Sequence, residues 1–125
     1  MNKNKTTLNS IKAALLGIKL AFQTEKNIKI HFIISILTLL TSFLLEVSAI
    51  ESTLILMCIG FVLSLELINT AIERIIDLYS TKYNLSIKII KDIAAGSVLI
   101  ASIFAFTVGC LIFIPKCLKY IELWK

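Results

Sequence analysis

The feature that most constrains this chain is a stretch of 23 residues without a charged side chain, residues 93–115. A helix needs about 20 apolar residues to cross the hydrocarbon core of a bilayer, so this stretch can span a membrane alone. Residues 32–45 and 52–65 are also uncharged, with 14 residues each, and must extend into their flanks to span. One Pro, four Gly and 58% hydrophobic residues in a chain of 125 predict a single-domain, all-α integral membrane protein.

An amphipathic helix is predicted ahead of the first span. Its apolar stripe has spacings of three and four residues and consists of Leu8, Ile11, Leu15, Ile18 and Phe22. Lysines recur every seven residues beside this stripe, at Lys12, Lys19 and Lys26. Such a helix is typical of the membrane interface, and a solvated helix packed on the bundle is the alternative. We predict a surface helix over about residues 8–26 and spans over about 29–47, 50–78 and 87–115.

The placement of the lysines predicts the orientation in the membrane. Six lysines lie within residues 1–29, whereas the connection over residues 46–51 has two glutamates and no Lys or Arg. The next connection is basic again. Because Lys and Arg favour the cytoplasmic side, the N-terminus and the second connection are predicted inside. The net charge of +5 suits anionic headgroups and nucleotide phosphates, and nucleic acid is not expected as a partner.

The second span ends in a polar segment, "ELINTAIERIID", which begins at Glu66. With Glu66 at zero on a helical wheel, Asn69 lies at about −60°, Glu73 at about −20° and Asp77 at about +20°. These four residues share one wedge of the helix, and Arg74 falls outside it. Glu66 is expected to lie deepest in the membrane and Asp77, about 16 Å further along the axis, at its surface.

The wedge predicts a functional site, because a lone charge in hydrocarbon costs on the order of 3 kcal/mol or more. A solvated helix face is the alternative. Carboxylates at this spacing suit Mg²⁺ with phosphates, and Glu66 is the candidate general base. A small oligomeric cation transporter using Glu66, or a non-catalytic assembly protein, are rival hypotheses. The third span has small residues every four positions, which predicts close helix packing and an oligomer: Ser97, Ala101, Ala105 and Gly109.

Three motifs resemble those of the small prokaryotic diacylglycerol kinases. "ELINTAIERIID" is similar to the family signature E-x-x-N-[ST]-A-[IL]-E-x-x-x-D, and "KDIAAGSV" is similar to its K-D-x-[AG]-[AS]-[AG]-[AS]-V segment. "EKNIKIH" resembles the E-[RK]-N-x-[RK]-I-H segment of the branch that acts as undecaprenol kinase. The motifs occur in the family's order and spacing, and the resemblance covers residues 8–115.

The resemblance implies a homotrimeric bundle in the bacterial inner or plasma membrane, with cytoplasmic active sites between subunits. It implies phosphorylation of a membrane lipid alcohol by ATP with Mg²⁺; "EKNIKIH" favours undecaprenol, and diacylglycerol is the alternative. By position, Glu66 matches the catalytic base, and Glu25 and Glu73 match the carboxylates that hold the metal. The positions that match the nucleotide site are Glu25, Asn69, Glu73, Asp77, Lys82, Tyr83, Asn84, Lys91 and Asp92.

Overall fold

The computed structural model describes residues 7–79 and 85–122, which form four helices and, within those ranges, no strand. The helices are α1 (Thr7–Thr24), α2 (Lys26–Leu44), α3 (Ala49–Tyr79) and α4 (Leu85–Glu122). α2, α3 and α4 are each long and apolar enough to cross a membrane. The predicted all-α class, with an N-terminal helix followed by three spans, is confirmed.

α1 has an apolar stripe that the described part of the chain does not cover. Ala21 is the one buried residue of this helix, and Leu8 and Leu15 are 61% and 60% exposed. Near the end of α1, Phe22 meets Phe32 of α2 edge to face, with ring centroids 5.2 Å apart. α1 is thus attached to the bundle at one end, and its apolar stripe is exposed.

The junction between α1 and α2 is a single residue, Glu25, whose backbone is extended with φ −101° and ψ 125°. The amide of Glu25 still donates to the carbonyl of Ala21, at 2.9 Å. α2 therefore begins at Lys26, three residues before the start predicted at residue 29. The earlier start is accommodated because Ile28 packs inside while Lys29 stays exposed, so this polar first turn needs no separate loop.

The turn between α2 and α3 closes α2 with a paired hydrogen-bond motif. The amide of Val47 donates to the carbonyl of Ser42 at 3.2 Å, and that of Glu46 donates to the carbonyl of Phe43 at 3.3 Å. These two bonds are those of a Schellman motif, which needs a left-handed residue after the helix. Glu46 supplies it with φ 48°. The turn reverses the chain within a few residues and sets α2 antiparallel to α3.

α3 begins with a capping box that also holds α4. Glu51 Oε2 accepts from the amide of Ser48 at 2.6 Å, and the amide of Glu51 donates to Ser48 Oγ at 3.3 Å. Lys116 Nζ lies 3.1 Å from the same Oε2.

The predicted end of the last helix at Pro115 is wrong, since α4 continues to Glu122. A proline removes one backbone donor, a loss that a membrane helix can tolerate.

α3 packs mainly against α4 and positions the polar wedge. Its 31 residues are about 46 Å long, whereas the hydrocarbon core is about 30 Å thick. With Ala49 at one boundary of the core, Asn69 lies about 30 Å along the axis, at the other boundary. With this placement of Ala49, the remaining turns of α3, with Glu73 and Asp77, extend beyond the hydrocarbon.

Candidate functional site

The first part of the polar wedge lies inside the protein. Glu66 is 2% exposed, and Asn69 and Thr70 are 5% exposed each. These polar residues continue the buried face of α3 that begins with Ile55 and Val62. This half of the wedge is therefore not a solvated face. No hydrogen bond or ion pair to Glu66 occurs within residues 7–79 and 85–122, although the residue as a whole is nearly buried.

Asn69 connects the buried half of the wedge, which contains Glu66, to the more exposed half, which contains Glu73. Its Nδ2 donates to Glu73 Oε1 at 3.2 Å, one helical turn along α3. Its Oδ1 is buried and, in the described part of the chain, has no donor. A buried acceptor without a partner costs about 1–3 kcal/mol. A bound ligand or water that donates to Oδ1 would recover this energy, so the position suits a polar ligand.

The end of the wedge is tied to the first turns of α4. Lys91 Nζ lies 2.6 Å from Asp77 Oδ1, with the two side chains 35% and 65% exposed. Asp92 is exposed on the same turn of α4. The structure thus brings together Asp77 and Lys91, two residues that the sequence assigned to one site. Three further members of that predicted site, Lys82, Tyr83 and Asn84, lie outside the described residues.

Glu25 reaches the same end of α3 from the α1–α2 junction. Glu25 Oε1 lies 3.2 Å from Arg74 Nη2, and it accepts a hydrogen bond from the hydroxyl of Thr24 at 3.1 Å. The same guanidinium nitrogen donates a short hydrogen bond to Thr24 Oγ1. Because Arg74 directly follows Glu73, this contact places the two carboxylates predicted to hold a metal at the same end of the bundle.

The pair of carboxylates fits a metal that arrives with phosphate. In the described part of the chain, no three Asp, Glu, His or Cys side chains converge enough to hold a metal by themselves. Glu25 and Glu73 each accept hydrogen bonds through Oε1. Oxygen ligands suit Mg²⁺, which commonly takes one or two carboxylates and completes its shell with waters and substrate phosphates. The donor set therefore matches a metal–nucleotide complex better than a permanent metal cage.

Sequence reasoning missed Arg74 and Thr24. Arg74 falls outside the wedge on the helical wheel, so its angle separates it from the polar row. The positive charge of Arg74 is the sequence signal that could have identified it. A lone Arg in the last turns of a membrane helix needs an acidic partner, and Glu25 is the acidic residue beside the first span.

Comparisons with known proteins agree on one family. A family model described as "Prokaryotic diacylglycerol kinase" matches residues 12–113. An undecaprenol kinase of Bacillus subtilis is 41% identical over 100 residues, which cover 80% of this chain and 81% of that protein. A diacylglycerol kinase of Synechocystis is 37% identical over 90% of this chain and 65% of its own length. A diacylglycerol kinase of Haemophilus influenzae is 31% identical over 75% of this chain and 80% of its own.

Proposed function

The chain belongs to the prokaryotic diacylglycerol kinase family, and on this premise we propose that it phosphorylates undecaprenol with ATP and Mg²⁺. Family membership makes it a lipid kinase. Undecaprenol is favoured by the "EKNIKIH" segment and by the 41% identity with an undecaprenol kinase. Diacylglycerol is the second candidate, because two relatives bear that name.

The observation that carries the proposal is the buried carboxylate of Glu66 at the inner end of a polar row. Glu66 is 2% exposed, while Asp77 at the other end of the row has a 65% exposed side chain. A lipid alcohol stays in the bilayer, and a nucleotide arrives from water. A row that runs from a buried carboxylate to an exposed one offers each substrate a separate approach.

In the proposed reaction, Glu66 accepts the proton of the lipid hydroxyl. The hydroxyl oxygen forms a bond to the γ-phosphorus of ATP, and the bond from that phosphorus to the β–γ bridging oxygen breaks. The products are the lipid phosphate and ADP, and the proton remains on Glu66 until it leaves to water. Phosphoryl transfer depends mainly on positioning and charge stabilisation, so a small scaffold with few functional groups suffices.

The residues beyond Glu66 bind the nucleotide in this proposal. Glu25 and Glu73 would hold Mg²⁺, which supplies positive charge to the oxygens of the transferred phosphoryl group when bound. Asn69 orients Glu73 through its amide donor and offers Oδ1 to the ligand. Lys91, held by Asp77, provides a cation at the same end of the bundle.

We propose that the protein spans the bacterial inner or plasma membrane with the N-terminus and the site in the cytoplasm. The basic N-terminal segment and the acidic connection over residues 46–51 support this orientation. The uncovered stripe of α1 supports it too, since this helix can then lie in the cytoplasmic interface. In this orientation, the end of α3 that carries Glu73 and Asp77 lies on the cytoplasmic side of the membrane.

We also propose a homotrimer, which is the assembly implied by the family resemblance. An apolar groove of about 480 Å³ lies between α2, α3 and α4. Ala105 and Gly109, half of the predicted small-residue stripe, line it, whereas Ala101 of the same stripe is buried within the protomer. Small residues on an uncovered helix face let a helix of another copy approach closely.

The deciding experiment uses purified full-length protein in detergent with ATP labelled at the γ-phosphate, Mg²⁺, and either undecaprenol or diacylglycerol. Labelled undecaprenyl phosphate, formed faster than labelled phosphatidic acid, is the expected result. Faster labelling of diacylglycerol would replace the proposed substrate with the second candidate. Transfer to neither alcohol would contradict the kinase proposal.

A further inference from the structure

We propose that Arg74 is a positioning residue for the metal–nucleotide site, acting through Glu25; this inference rests on the proposed function. Arg74 belongs to α3, and Glu25 lies at the one-residue junction of α1 and α2. The two residues are 49 positions apart in the sequence, and Arg74 Nη2 lies 3.2 Å from Glu25 Oε1. This contact joins Glu25 to α3, the helix that carries Glu73. It therefore fixes the orientation of the Glu25 carboxylate relative to Glu73.

The geometry around Glu25 leaves one carboxylate oxygen for a ligand. Oε1 faces both Arg74 Nη2 and the hydroxyl of Thr24. Thr24 has one hydroxyl proton, and it is shared between Glu25 Oε1 at 3.1 Å and the carbonyl of Leu20 at 3.0 Å. The guanidinium is therefore the donor that can hold Oε1 continuously. With Oε1 held, Oε2 has a fixed direction and can face a cation.

The backbone of Glu25 makes such a constraint necessary. Glu25 lies between two helices in an extended conformation, and its side chain is 30% exposed. Without a partner, the side chain would sample several rotamers in solvent. The ion pair itself contributes little to stability, because both side chains are partly exposed, 42% for Arg74 and 30% for Glu25. Its effect should therefore appear in ligand binding more than in the stability of the fold.

Arg74 is suited to this role for two chemical reasons. Nη2 of its planar guanidinium carries two N–H donors at a fixed angle, so this one nitrogen can hold Glu25 and Thr24 together. Its position next to Glu73 couples the orientation of the first metal carboxylate to the helix that carries the second. Groups that orient a metal ligand typically change metal affinity or activity about 10- to 100-fold when they are removed.

The test measures binding of Mn²⁺ by electron paramagnetic resonance, with purified full-length protein and a non-hydrolysable ATP analogue. We expect Arg74→Ala to weaken Mn²⁺ binding about 10- to 100-fold. Arg74→Lys should recover part of the affinity, since it keeps the charge but not the planar fork. The matched control is Lys116→Ala, which removes an ion pair of similar exposure at the opposite end of α3 and should leave Mn²⁺ affinity unchanged.

A double variant tests whether Arg74 acts through Glu25. In a Glu25→Gln background, Arg74→Ala should cause no further loss of Mn²⁺ affinity, because the carboxylate that it orients is gone. An equal loss in both backgrounds would overturn the inference and indicate that Arg74 contacts the nucleotide directly. Wild-type affinity in Arg74→Ala would overturn it as well.

Two further results keep the inference testable and separate it from the proposed function. If Arg74→Ala does not fold, Arg74→Lys and Thr24→Val take its place, and wild-type Mn²⁺ affinity in both would overturn the inference. A wild-type protein that phosphorylates neither lipid alcohol contradicts the proposed function itself. A wild-type protein that is active, with Arg74 variants that bind Mn²⁺ normally, contradicts only the role of Arg74.

Discussion

Replacing Glu66 with Gln should lower the kinase activity and raise the stability of the fold. The substitution keeps the shape of the side chain and removes its charge and its capacity to accept a proton. Loss of a general base lowers the rate of a catalysed step about 10²- to 10⁴-fold. We therefore expect kcat to fall by that factor, while the KM for ATP stays nearly unchanged because Glu66 lies away from the exposed end of the wedge.

The expected gain in stability follows from the position of Glu66. It lies about 26 Å along α3 from Ala49, inside a hydrocarbon core of about 30 Å. It is 2% exposed and has no ion pair within the described ranges. Burying such a charge costs on the order of 3 kcal/mol. A neutral amide also leaves polar groups unpaired, at about 1–3 kcal/mol, so Glu66→Gln should raise the free energy of unfolding by about 1 kcal/mol.

The assay compares lipid phosphorylation and thermal unfolding of the two proteins in the same detergent. Glu51→Gln is the matched control, since it changes the same residue type in the same helix. It weakens the capping box with Ser48 and removes the ion pair with Lys116, so it should lower the midpoint of thermal unfolding and leave kcat unchanged. Wild-type turnover in Glu66→Gln, or a marked loss of stability, would refute the assignment of Glu66 as a buried proton acceptor.

Two other predictions concern the fold and the assembly. Glu46→Gly should raise the free energy of unfolding by about 0.5–1 kcal/mol in thermal melts, because Glu46 has a left-handed φ of 48° that costs a non-glycine residue energy. An unchanged or lower midpoint would contradict this account of the turn. Gly109→Leu should dissociate the proposed trimer in light-scattering measurements, since a Cβ at this position lies in ordinary contact with the Phe113 ring, at 3.9 Å, and the rest of the leucine side chain would enter the groove that Gly109 lines. Gly60→Leu, outside the groove, is its control, and a trimeric Gly109→Leu would contradict the proposed interface.

Much of the fold could be predicted from the sequence because burial in lipid leaves a strong periodic signal. Uncharged length marked the three spans, and 100° steps placed Glu66 and Asn69 on one face. The helix ends were predicted less well. The junction at Glu25 carries no Gly or Pro, and Pro115 resembles a stop although it removes only one helical hydrogen bond.

The contacts between helices could not be predicted from periodicity. Whether Arg74 meets Glu25 depends on the angle at which α1 leaves α2, and a helical wheel of α3 contains no information on that angle. The same limit applies to Asp77 and Lys91, whose pairing depends on the connection between α3 and α4. For Glu25, a role at the site came only from the family resemblance, and the structure adds the contact that places it near the end of α3.

In the proposed function, the length of α3 lets one helix serve both a lipid and a nucleotide. Measured from Ala49, Glu66 lies about 26 Å along the axis, Glu73 about 36 Å and Asp77 about 42 Å. If the hydrocarbon core begins at Ala49, a core of about 30 Å ends between Glu66 and Glu73. In the proposed site, the carboxylate on the lipid side meets a hydroxyl that never leaves the bilayer, and those on the water side meet a hydrated metal and its phosphates. Shortening α3 by one turn between Glu66 and Glu73 would cut their separation along the axis from about 10 Å to about 5 Å and so bring the proposed lipid and nucleotide ends of the site closer in depth.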